Sequence, residues 1–293
     1  MSDKKKQNND IDFISNSSFQ KHIKKTKWKQ IGLYILISTV TLTVAIFIIH
    51  NGSQYLIHKK IEEDRPTIPI LTDGPTKGAG VNYGNTRFHY NLFSVDAKTT
   101  YFKRIGNRKI VWDTETKNYP AIGRVEVTDR GSGFIEDNPW DPDLGRSVVY
   151  NHFNDERVIE FYFPGVDYDF LPQELDIATG LDENKLIEIA LSFQEPMVQK
   201  DLGEVLGKEN VDWLWVPSRT KEEVESNEMN KIINGNAAYG IPVNSEFPYW
   251  ENAEGEDRSI SGAIVSGTPQ ELERFLNMDF VRASTIGVTI DKY

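Results

Sequence analysis

The 293 residues contain no cysteine. That excludes disulfides, thiolate nucleophiles, cysteine zinc sites and lipid attachment through sulfur. Positive charge is also scarce outside one short stretch. The chain carries a net −11, yet residues 1–30 hold eight lysines (Lys4, Lys5, Lys6, Lys21, Lys24, Lys25, Lys27 and Lys29) against Asp3, Asp10 and Asp12. The first thirty residues are therefore +5 and the remainder −16. Binding to a nucleic-acid backbone requires a basic surface, so this balance excludes direct nucleic-acid recognition by the body of the protein. Histidine is rare, with His22, His50, His58, His89 and His152 alone, and no H-E-x-x-H pair occurs.

The other chemical signatures fall away in turn. "GPTKGAGVNYG" (74–84) lacks the glycine spacing and the Gly-Lys-Ser/Thr ending of a phosphate loop. "EDNPWDPDLGR" (136–146) offers Asp137, Asp141 and Asp143. Counted from Asp141, however, the twelfth position of a calcium loop is His152 rather than a bidentate carboxylate, so an acidic surface turn is expected. No G-x-S-x-G is present. A carboxylate pair of glycosidase type stays open, with nothing to single one out. The expectation is a protein without catalysis, cofactor or metal.

What the sequence does have is "KTKWKQIGLYILISTVTLTVAIFIIHNGS" (25–53). Ile31 to Ile49 is a run of nineteen residues without a charge. As a helix it spans roughly 28 Å, close to the hydrocarbon thickness of a bilayer. It is longer than the apolar region of an export signal and is followed by no Ala-x-Ala site, so an uncleaved transmembrane helix is expected. The lysines before it place residues 1–30 in the cytoplasm and the acidic remainder outside the cell, with Trp28 and Tyr34 at the inner boundary. Ser38, Thr39, Thr41 and Thr43 have two readings: hydroxyls bonded to the carbonyl one turn back, or a contact face for a second transmembrane helix, from another protein or another copy.

Beyond the span the pattern predicts a juxtamembrane linker over 50–84, a β-rich part over 85–155 and a mixed part over 156–293: an α+β extracytoplasmic region behind a single transmembrane helix. "YFKRI-GN-RKIVW" reads as a hairpin turning at Gly106-Asn107, and "RSVVYNHF-NDE-RVIEFYF" as another. "KLIEIALSF" reads as a half-buried strand with Ile187, Ile189, Leu191 and Phe193 on its inner face. "PMVQKDLGEVLG" reads as a helix presenting Val198, Leu202, Val205 and Leu206. "VDWLWV" alternates Val211, Trp213 and Trp215, and "VRASTIGVTI" is a closing strand. Thr268-Pro269-Gln270-Glu271 is a capping box opening a helix.

The stretch "KLIEIALSFQEPMVQKDLGEVLGKENVDWLWVPSRT" (185–220) carries a resemblance. A strand ending in Ser192-Phe193, a turn with Pro196, a short helix and a strand with Trp213-Leu214-Trp215 together resemble the C-terminal domain of the sigma-factor regulator family. Its members are membrane anti-sigma factors of Gram-positive bacteria. "ERVIEFYFPGVDYDFLPQEL" (156–175) is similar to the entry into that domain, and "KKTKWKQI" to the basic segment before its span. The resemblance implies a non-catalytic regulator at the cell membrane. It would hold an extracytoplasmic-function sigma factor on its cytoplasmic side until an envelope signal arrives. Phe13, Ile14, Phe19 and Ile23 are the apolar side chains available for that contact. Phe19 and Ile23, one helical turn apart, equally well extend the anchor. The competing function is an extracytoplasmic ligand- or partner-binding module merely tethered by the helix, with Trp112, Trp140 and Trp250 as candidate stacking surfaces.

Overall fold

The apolar run is the middle of a much longer helix, α1 (Ser17–Asp64). The computed structural model describes residues 17–64, 76–131, 134–135, 148–226, 231–243 and 258–293. From Gln20 to Asp64 the helix is long and apolar enough to cross a membrane, and none of its most apolar stretch is buried. It continues through 50–64, the first part of the expected linker. The acidic turn expected at 136–146, with Trp140, and also Trp250, Phe13 and Ile14 lie outside the described residues.

After α1 the strands run β1 (Thr76–Lys77), β2 (Val81–Tyr90), β3 (Ser94–Ile105), β4 (Arg108–Pro120), β5 (Glu126–Arg130), β6 (Phe134–Ile135), β7 (Tyr150–Asn151), β8 (Glu156–Arg157) and β9 (Glu160–Tyr162). Then come α2 (Glu174–Thr179), β10 (Lys185–Val198), α3 (Gln199–Leu206), β11 (Val211–Trp215), α4 (Lys221–Glu225), β12 (Ile232–Asn234), β13 (Tyr239–Pro242), β14 (Ser259–Gly267), α5 (Pro269–Leu272) and β15 (Val281–Asp291). The remainder of the chain is thus β-rich and mixed α+β, as expected.

β2–β5 form an antiparallel meander in sequence order. The β3–β4 hairpin turns at Gly106, whose φ of +56° lies in the left-handed region that glycine tolerates. The second expected hairpin is β7–β8, joined through Asp155 at φ +57°. The expected boundary at 155/156 therefore falls inside it.

The C-terminal part is built on a six-stranded sheet of order β1-β13-β11-β14-β10-β15. On one face Ile187, Ile189, Leu191 and Phe193 meet Leu175 of α2, Leu202 and Leu206 of α3 and Leu272 of α5. Val205 points outward at 50% exposure, because only Leu202 and Leu206 lie on the packed side of α3. On the other face Ala190, Trp213, Trp215 and Ile264 meet Ile159, Phe161 and Phe163. Phe161 stacks on Trp215 with centroids 5.0 Å apart.

Two expectations are corrected here. β10 is buried on both faces from Leu186 to Phe193, not half-buried. Its polar positions are satisfied internally: Ser192 Oγ accepts from the Tyr162 N–H at 2.9 Å, and Glu188 is paired with a lysine described below. Strict alternation of Val211, Trp213 and Trp215 also fails. A register shift between Val211 and Trp213 turns Val211 to the helical face while both tryptophans face the other. Gly240 lies flat under Trp213: a Cβ there would stand 2.5 Å from the indole and 2.0 Å from the Leu214 carbonyl oxygen. The capping box at Thr268 is formed as expected, with the Thr268 hydroxyl accepting from the Glu271 N–H and the Glu271 carboxylate from the Thr268 N–H.

Candidate functional site: two junctions at either end of the meander

The far end of α1 docks on the meander through one stripe. Ser53, Ile57, Lys60, Ile61 and Asp64 recur at the spacing of a single helix face, and Ser53 and Ile57 are buried. Ile57 packs with Val95, Ala97, Tyr119 and Ala121, flanked by Ile61 and Val125. Polar clamps reinforce this contact. Lys60 Nζ donates to the carbonyls of Pro120 (2.5 Å) and Gly123 (2.9 Å), with Ala121 at 3.4 Å. Asp64 Oδ2 accepts from Lys117 Nζ at 2.9 Å and from the Tyr119 hydroxyl at 2.6 Å. Burial pushes the Asp64 carboxyl up, but the Lys117 and Tyr119 bonds outweigh it and hold the group below the ordinary carboxylate value. Burial, then the Asp64 carboxylate, push the Tyr119 phenol well up.

The opposite end of the meander docks on the six-stranded sheet. Ile105 and Trp112 pack with Val149, Val158, Leu186 and Val288. Between the two sheets lies a buried ion pair. Lys103 Nζ donates to both oxygens of Glu188, at 2.8 and 3.0 Å, with both side chains 2% exposed. The ammonium sits 4.2 Å from the centre of the Trp112 ring, and Glu188 Oε2 also accepts from the Val288 N–H at 3.3 Å. At the hairpin turn the Gly106 N–H donates to Ser266 Oγ at 2.7 Å, and that hydroxyl donates to Asp212 Oδ2 at 2.5 Å. Burial drives the Asp212 carboxyl up to about 7, against the lowering pull of Ser266. Glu156 is likewise raised, mainly by burial.

A third feature is a cleft of about 110 Å³ lined by Phe163, Trp215, Pro217, Arg219, Asn234 and Tyr239. Pockets that enclose organic ligands run to roughly 300–1,000 Å³, so this one suits a side chain or a few waters. Among the described residues no cluster of His, Asp and Glu is arranged to hold a metal ion.

The cleft lining apart from Phe163, the Trp213–Trp215 strand and the β10 partner of Lys103 share one stretch of chain. Residues 179–259 match the family described as sigma factor regulator C-terminal. The matched stretch is a little over a quarter of the chain. It begins at the end of α2 and runs through β10–β13 to the first residue of β14. The matched segment therefore supplies Glu188, Asp212, Trp213 and Trp215, and the resemblance read at 185–220 lies within it. No curated protein and no solved structure matches the chain.

The structure does not gather the residues singled out from sequence into one site. Phe19 falls in the first turn of α1, and Ile23 is exposed on it. Ser38, Thr39, Thr41 and Thr43 are all exposed on α1. Thr39 donates to the Ile35 carbonyl and Thr43 to the Thr39 carbonyl, both at 2.8 Å, the one-turn-back bonding expected of hydroxyls in a span. Ser38 and Thr41 share one flank of the helix and Thr39 and Thr43 the next. Trp112, a candidate stacking surface, is instead 2% exposed against the Lys103 ammonium. Sequence reading passed over Lys60, Asp64, Lys103, Glu188, Asp212 and Ser266. For the first two a signal existed, since Ile57 and Ile61 repeat at i, i+4 beyond the apolar run.

Proposed function

We propose that this chain is a membrane-bound, non-catalytic regulator that holds an extracytoplasmic-function sigma factor against the membrane and releases it on an envelope signal. The match of 179–259 to the sigma factor regulator C-terminal family carries the reading. A helix long enough to span a bilayer supports it. So does the lysine-rich stretch before that helix, which favours a cytoplasmic N-terminus with residues 51–293 outside. Residues 11–27, with Phe13, Ile14, Phe19 and Ile23, are the sigma-binding segment in this scheme. Ser38, Thr39, Thr41 and Thr43 are where a second transmembrane helix would pack.

The two junctions supply a mechanical rationale. A signal acting on the C-terminal sheet meets a meander held to it by Lys103–Glu188. The meander in turn is held to α1 by Lys60 and Asp64. A shift or rotation of the sheet thus reaches the helix without passing through a flexible tether. The decisive experiment is a transcript profile of a deletion strain, paired with capture of host sigma factors by residues 1–30. One coherent sigma regulon switched on, and that sigma factor captured, is the expected result. No regulon change and no capture would refute it. The small cleft beside Trp215 favours the second reading, a tethered partner-binding module. That reading predicts full function when residues 1–27 are replaced by an unrelated basic peptide.

A further inference from the structure

The junction with α1 fixes which end of the meander faces the membrane. Moving down α1 from Asp64 to Lys60, the partners shift from Lys117 and Tyr119 on β4 to the carbonyls of Pro120 at its end and Gly123 in the turn beyond. β4 therefore runs back along the helix, and the turn that follows it points toward Ile49. Helical side chains lean toward the N-terminus of their helix, so Lys60 draws these carbonyls further the same way. Burial on the docked stripe begins at Ser53, roughly 6 Å along the helix past Ile49. The neighbouring β2–β3 turn is tied to this one, since the Ala121 N–H donates to the Phe93 carbonyl at 2.8 Å and Ser94 pairs with Pro120.

These two turns hold the wrong residues for water. Turns favour Gly, Asn, Asp and Ser, yet here Ile122 is 89% exposed, Leu92 62% and Phe93 52%. Arg124 is exposed two positions after Ile122, and Tyr55 and Leu56 are exposed on α1 just before Ile57. Apolar tips beside an arginine, held at headgroup height, match the composition of segments that lie in a membrane interface. We propose that Leu92, Phe93 and Ile122 insert into the interfacial layer of the bilayer on the C-terminal side of α1, so that the meander is a second, monotopic anchor. This rests on the reading that α1 spans that bilayer.

With no cysteine in the chain, the test needs no background removal. Single variants Ile122→Cys, Asn107→Cys and Ile35→Cys of the full chain are each labelled with an environment-sensitive fluorophore. They are then reconstituted into vesicles of equal parts zwitterionic and anionic phospholipid containing a shallow lipid-borne quencher. The expected result is several-fold stronger quenching at 122 than at 107, the opposite end of the same sheet, and a blue-shifted emission at 122. Quenching at 122 no greater than at 107, while a deep quencher acts on the label at 35, overturns the insertion and leaves the spanning helix standing. Loss of deep quenching at 35 overturns both. All three positions are exposed, so the substitutions leave the packing unchanged.

Discussion

Removing the Lys103 ammonium should leave a carboxylate stranded between two sheets. Lys103 and Glu188 are each 2% exposed, bonded through two contacts of 2.8 and 3.0 Å. Breaking such a pair by deleting one partner costs about 3–5 kcal/mol, whereas replacing both with neutral groups of similar volume is close to neutral. Lys103→Met exchanges the ammonium contact on the Trp112 ring for a thioether contact of similar size, about 1 kcal/mol, so this change is small in the single and the double alike. Glu188→Gln retains an oxygen for the Val288 N–H but leaves the ammonium unpaired. Each single variant should therefore lose about 3–5 kcal/mol, and the double variant only about 1–2 kcal/mol for one unsatisfied amide. Urea unfolding of the full chain in detergent, followed by tryptophan fluorescence, reads this directly. With a slope of about 2 kcal/mol per molar urea, the singles shift the midpoint down by about 1.5–2.5 M and the double by under about 1 M. If the double variant loses the sum of the two singles, there is no coupling and the ion pair does not hold the junction.

Asp212 makes the C-terminal sheet pH-sensitive in an unusual direction. Its folded-state value of about 7 lies above that of a free aspartate, so between roughly pH 4 and 7 the native state keeps a proton that the unfolded chain gives up. Stability then falls as pH rises through that window, by an amount on the order of 4 kcal/mol, and is flat above it. Asp212→Asn should flatten the difference in urea midpoint between pH 5 and pH 8, and an unchanged difference would refute the assignment. Gly240→Ala drives a methyl into Trp213 and the Leu214 carbonyl, and should cost about 2–3 kcal/mol, seen as a melting temperature lower by about 4–10 °C. Lys60→Met removes the carbonyl clamp, about 2 kcal/mol, and should accelerate amide exchange in residues 53–64 while leaving β10 and β15 protected.

Features written in local chemistry were legible. The apolar span, the Gly106-Asn107 turn and the Thr268 cap each depend on residues within a few positions of one another. The expectations that failed depend on distant partners. β10 looked half-buried because Glu188 and Ser192 interrupt its apolar run, and the lysine that neutralises Glu188 lies in another sheet. The stripe from Ser53 to Asp64 looked like linker because its polar members have meaning only against Pro120, Gly123, Lys117 and Tyr119. The alternation in "VDWLWV" holds for the two tryptophans and breaks at Val211, where the register shift against β14 is a property of the pairing and not of the strand alone.

β15 pairs with β10 from Lys185↔Asp291 to Phe193↔Val281, β14 lies between β10 and β11, and β1 borders β13, yet β15, β1 and all of β14 but Ser259 fall outside residues 179–259. A recombinant fragment cut at the ends of the family match would strip β10 of both its neighbours, β14 and β15, part it from β11, and leave long, apolar, unsatisfied strand edges. Such an edge is a template for intermolecular pairing and for inclusion bodies. The smallest unit that keeps this sheet closed begins before Thr76 and ends after Asp291. It necessarily carries the meander with it.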